Sequence, residues 1–95
     1  MPNFLVRVQL KGAEPIDYTE LHEAMEAIGL LRQIQSNEGE WFELPNAEYF
    51  GTRLNYSVVP LRERVRAIVT RTNPPGGHVL VSEVANAAWF LKPCE

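Results

Sequence analysis

His22 precedes Glu26 by four residues, the spacing at which side chains on one helix meet. A carboxylate beside an imidazole favours its charged form and can orient it for proton transfer, so the pair is a candidate acid–base group. The plainer reading is a surface histidine in an ordinary helical pair. Arginine is the second candidate. Arg53, Arg62, Arg64, Arg66 and Arg71 place five of the nine basic residues between positions 53 and 71. Guanidinium forks match phosphate oxygens, which makes this stretch a candidate rim for an RNA backbone. At about 100° per residue, however, Arg62 and Arg66 fall on one flank of an apolar stripe and Arg64 and Arg71 on the other. Long stems covering the edges of a core helix account for that pattern equally well.

Other chemistries have no residues to carry them. One cysteine and two widely separated histidines match no zinc spacing, and no EF-hand pattern occurs among the carboxylates. Pro75-Gly76-Gly77-His78 has neither a following helix start nor a Walker lysine, so it is not a nucleotide-phosphate loop. No serine or cysteine stands in a nucleophile elbow. No metal and no cofactor are expected.

These side chains need elements to position them. Phe4, Val6, Val8 and Leu10 alternate with Leu5, Arg7 and Gln9, which predicts a strand over 4–10 with one buried face. Asp17 stands three residues before Glu20, a capping-box spacing. Tyr18, Leu21, Met25 and Ile28 follow at helical spacing, with Ala24 in the stripe, and Gly29 ends that helix. Residues 30–35 read as a second strand, 36–39 as a hairpin turn and 41–44 as a third strand. Pro45 interrupts it, and 47–53 reads as a further extended or bulged piece that Gly51 lets kink. Ser57 is expected to cap a second helix, with Pro60 in its first turn and Leu61, Val65, Ile68 and Val69 buried. The loop 73–77 stops it, 78–84 forms the last strand, and 85–91 packs across a sheet edge.

Strand, helix, strand, strand, helix, strand is the split βαβ order. The expected fold is therefore α+β: a ferredoxin-like βαββαβ two-layer sandwich, with an antiparallel sheet and both helices on one face. The whole of 1–95 is read as one domain. If Val6, Val8 and Leu10 face the helices, Arg7 and Gln9 face away, and Arg32 and Trp41 are expected to join them. Arginine with an aromatic on a flat sheet suits stacking of single-stranded RNA bases. Leu5 beside Trp41 serves equally well as a homodimer patch.

The chain has 95 residues and a net charge of −3, which disfavours indiscriminate nucleic-acid binding. Charge is unevenly spread: residues 1–50 hold three basic and nine acidic groups, and residues 51–95 hold six basic and three acidic. That polarity would steer an anion to one side, or reflects two surface helices of different charge. The lone Cys94 can form no internal bridge, Met-Pro-Asn-Phe begins no signal peptide, and no apolar run approaches the roughly 20 residues of a membrane span. A cytoplasmic protein without membrane contact is expected.

Most of the chain also resembles a family of small bacterial proteins grouped with the endoribonuclease antitoxins of type V toxin–antitoxin systems. The likeness runs through Phe4-x-Val6-Arg7-Val8-x-Leu10-x-Gly12-Ala13 and Asp17-Tyr18-x-x-Leu21-His22-x-Ala24-Met25-Glu26. It continues in Arg32-x-Ile34, Leu44-Pro45-x-Ala47-Glu48-Tyr49, and Val79-Leu80-Val81-Ser82-Glu83 with Trp89. Leu-Pro-x-Ala-Glu-Tyr is the most distinctive piece. The resemblance implies a ferredoxin-like fold and metal-independent cleavage of single-stranded messenger RNA. Within that chemistry His22 is this chain's own candidate for the proton-transfer group, at a position where the RNA-cleaving antitoxins carry an arginine, and Arg7 and Arg32 are the candidate phosphate contacts, beside the Trp41, Arg53, Arg62 and Arg66 surface read from the residues.

Overall fold

Phe4, Val6, Val8 and Leu10 are buried in strand β1 (Asn3–Leu10), while Arg7 and Gln9 are exposed, as the alternation requires. The computed structural model describes residues 1–94. After β1 come helix α1 (Pro15–Glu26), the short strands β2 (Gln33–Gln35), β3 (Trp41–Glu43) and β4 (Glu48–Gly51), helix α2 (Val58–Thr72) and strand β5 (Gly77–Val84). The fold is α+β, with every described strand pair antiparallel.

β1 lies at the centre of a three-stranded sheet of order β4-β1-β5. Val6 faces Tyr49 on one side and Val81 on the other; Arg7 faces Glu48 and Leu80. Because residues paired across strands share a face, Tyr49, Val79 and Val81 point with Val6 and Val8 toward the helices. Leu21 and Met25 of α1 and Leu61, Val65, Ile68 and Val69 of α2 close the core over that face. Each fully buried leucine or valine there contributes about 1.5–3 kcal/mol.

The helix ends are set by local chemistry. The Asp17 carboxylate accepts the Glu14 N–H at 2.9 Å, so the capping interaction lies one turn before the expected Asp17–Glu20 pairing. At the other end Leu30 N–H donates to Met25 O at 3.0 Å and Gly29 N–H to Glu26 O at 2.9 Å. These are the paired bonds of a Schellman motif, and Gly29 supplies its left-handed turn with φ +87°. Ser57 begins α2 in extended conformation with no side-chain cap bond; only its carbonyl engages, accepting from Leu61 N–H at 3.1 Å.

The strand assignment between the helices needs correction. Residues 41–44 were expected as the third strand of one sheet; β3 instead forms a separate two-stranded sheet with β2, and its other side bridges the tail at Phe42↔Pro93. The neighbour of β1 is β4, within the segment read as a further extended piece. The single bridge Leu31↔Phe50 joins the two sheets. The reason is the turn at Pro45: Glu48 N–H donates to Pro45 O at 3.2 Å, and Ala47 adopts φ +63°. That reverses the chain so that Ala47 O accepts from Val8 N–H at 3.0 Å, zipping the next residues onto β1.

Beyond β5 the chain is irregular and crosses the face of the sheet opposite the helices. It reaches β3, where Glu43 N–H donates to Lys92 O and Cys94 N–H to Trp41 O, both at 2.9 Å. Trp89 sets its ring edge-on to Phe42, with centroids 5.8 Å apart. Beneath it a cavity of about 340 Å³ lies between Leu5 and Phe50 of the sheet and Trp89 and Leu91 of the tail. Among the described residues no helix is long and apolar enough to cross a membrane.

Candidate functional site

His22 sits on α1 directly after the fully buried Leu21, so packing fixes its backbone while its ring reaches the core edge. There it meets Tyr49 of β4: Nδ1 and the phenol oxygen are 2.7 Å apart, and the ring centroids 5.6 Å. Tyr18, one turn earlier on α1, lies 6.4 Å from the His22 ring, and its own hydroxyl accepts the Leu10 N–H at 3.1 Å. The imidazole is thus set between two tyrosines that are each anchored to the sheet.

The surroundings decide its charge. Partial burial pushes the His22 pKa below its ordinary value, and the Arg32 guanidinium pushes it further down. Burial raises the Tyr49 phenol far above its usual range, the opposing effect of Arg32 being smaller. Both groups are therefore neutral near pH 7. Their bond serves either tautomer: the phenol donates to a bare Nδ1, or accepts from Nδ1–H. In the second form Nε2 carries a free lone pair and can take a proton.

Arg32 follows Leu31, which pairs with Phe50, so it alternates to the face that Tyr49 occupies. Its electrostatic effect on both His22 and Tyr49 puts its charge at the same edge. A neutral base with a cation close enough to shift its pKa can remove a proton and stabilise negative charge that develops near it.

The structure brings His22 and Arg32 together but not the rest of the sequence-derived set. Arg7 lies on the opposite face of the sheet, across from Glu48 and Leu80. Trp41 belongs to the separate β2–β3 hairpin rather than to the sheet that carries Arg7 and Gln9. Arg53 lines a broad cleft of about 720 Å³ between Asn3 and the tail, and its N–H donates to Asn3 Oδ1 at 2.9 Å. Arg62 and Arg66 both bond the Glu63 carboxylate, at 3.2 Å each, and hold its pKa down. Among the described residues His22 and Glu26 form no ion pair; Tyr49 takes the partner's place.

Tyr49 is the member that sequence reasoning missed. It lies 27 residues from His22, and its inward direction follows only from its register opposite Val6. Compared with family models, curated proteins and solved structures, the chain matches none.

Proposed function

We propose that the protein is a metal-independent endoribonuclease acting on single-stranded RNA, as its resemblance to the type V antitoxins implies. The observation that carries this reading is the neutral, oriented imidazole of His22 beside Arg32. His22 Nε2 takes the proton of a ribose 2′-hydroxyl, and the resulting oxygen attacks the adjacent phosphorus. The bond to the 5′-oxygen breaks, and that oxygen takes a proton from water, whose hydroxide recovers the proton held on Nε2 and leaves His22 neutral again. Arg32 offsets the charge gathered on the non-bridging oxygens. Tyr49 is a positioning residue: its oxygen accepts Nδ1–H and leaves Nε2 directed outward.

The fold supports the same relationship. The order β4-β1-β5, with both helices on one face, agrees with three strands of a ferredoxin-like sheet, and the Leu31↔Phe50 bridge agrees with a fourth beside β4. End-group analysis of cleaved RNA tests the chemistry. Products ending in a 2′,3′-cyclic phosphate and a 5′-hydroxyl, formed in EDTA, agree with it; 5′-phosphate ends refute it.

One observation favours a second reading, a homodimer without catalysis. Among the described residues β5 pairs only with β1 and its outer edge has no strand partner, and Leu80 on it is 61% exposed. Sedimentation of the wild type and Leu80→Lys decides it: a dimer that the substitution splits supports the interface, and a monomer in both removes it.

A further inference from the structure

The loop from α2 into β5 is held by a side chain that the chemistry at His22 does not use. Asn73 is 4% exposed and donates from Nδ2 to the carbonyls of Lys11 and Gly76, both at 2.9 Å. Lys11 N–H donates to Gly76 O at 2.9 Å, and Gly76 N–H to Asn73 O at 2.7 Å. The turn after β1 and the turn before β5 are thereby locked into one piece. Gly77 lies so close to β1 that a side chain there would collide with the Gln9 carbonyl.

Beside this rigid floor a notch of about 230 Å³ opens, lined by Lys11, Arg66, Thr70, Gly76, Gly77 and His78 among others. Its ionisable lining groups are a lysine, an arginine and a histidine, with no carboxylate among them. The carboxylate that Arg66 bonds is Glu63, which is shared with Nε of Arg62 and engages the Arg66 guanidinium through Nη1, at 3.2 Å. Among the described residues Nε and Nη2 of that guanidinium, the Lys11 ammonium, the His78 ring and the Thr70 hydroxyl remain as donors. In a chain of net charge −3, such a concentration of donors runs against the average field.

We propose that this notch binds a phosphate group, with Lys11 and Arg66 contacting its oxygens and the Asn73-locked turn holding them in place. The group comes from an RNA backbone or from a free phosphorylated metabolite. His22, Tyr49 and Arg32 do not line the notch, so the inference stands whether or not the protein cleaves RNA.

Amide NMR of the full chain, titrated with inorganic phosphate, pyrophosphate and an oligouridine against sodium chloride of equal ionic strength, tests it. Expected are saturable shifts at Lys11, Gly76, Gly77 and His78 with phosphate and pyrophosphate. Lys11→Gln and Arg66→Gln should each weaken apparent affinity by about tenfold while leaving the remaining spectrum intact. Oligouridine that displaces pyrophosphate from these amides identifies the backbone as the source; oligouridine that leaves them unmoved identifies a free phosphorylated compound. Shifts that match those of chloride, or that spread without saturation over all the α2 arginines, overturn the proposal.

Discussion

The Nδ1 of His22 and the phenol oxygen of Tyr49 lie 2.7 Å apart, tying α1 to β4 at the edge of the core. The bond orients one of the two histidines and satisfies the hydroxyl of a tyrosine with no exposed surface. Arg32 adds positive charge to the same place.

Tyr49→Phe removes the hydroxyl and keeps the ring. Its expected cost is about 1 kcal/mol of stability, measured by urea unfolding, because His22 is partly solvated and can bond water instead. Cleavage should fall, and the acidic limb of its pH profile should move, since Nδ1 has lost its acceptor. A purely structural tyrosine would lower stability and leave the profile in place.

Stability should fall on acidification. The folded pKa of His22 lies below its ordinary value near 6.5, so in that window the unfolded chain binds more protons than the folded one. Stability is then complete above pH 6.5 and is lost as pH falls from there through the depressed folded pKa. Thermal unfolding between pH 7.5 and 5 checks the sign. Arg32→Gln should reduce the loss and raise the His22 pKa, read from its ring protons by NMR.

Asn73→Ala leaves the Lys11 and Gly76 carbonyls without one donor each. A loss of about 2 kcal/mol is expected in urea unfolding. Local hydrogen exchange should rise at Lys11 and Gly76, where the turns are joined.

Ala47 holds φ +63°, a left-handed conformation that costs a residue with a Cβ about 1–2 kcal/mol. Ala47→Gly relieves that strain and gives back part of it through a freer unfolded chain. A net gain of about 0.5 kcal/mol is expected in the urea midpoint.

The readable parts of the sequence were those whose pattern runs long enough to be unambiguous. β1 alternates without interruption to Leu10, and α2 repeats its apolar stripe from Leu61 to Val69. β4 was obscure because Glu48 and Phe50 on either side of Tyr49 are both half-buried, which erases the polar–apolar alternation. Trp41 and Phe42 looked like the better strand, yet their partner is β2 and their packing comes from Trp89 of the tail. The candidate site followed the same division. His22 stood out by its type, whereas Glu26 drew attention as its partner because helical neighbours are visible in sequence and cross-sheet neighbours are not. Arg7 and Arg32 were placed together because the sheet register that separates them depends on β4.

The most direct measurement incubates wild type and His22→Ala with end-labelled single-stranded RNA in EDTA at low salt. Expected is cleavage by the wild type that the substitution slows by about 100-fold or more, with the variant still folded by circular dichroism. No cleavage by the wild type at micromolar protein over hours, or equal cleavage by both, would contradict the assignment of His22 as the base.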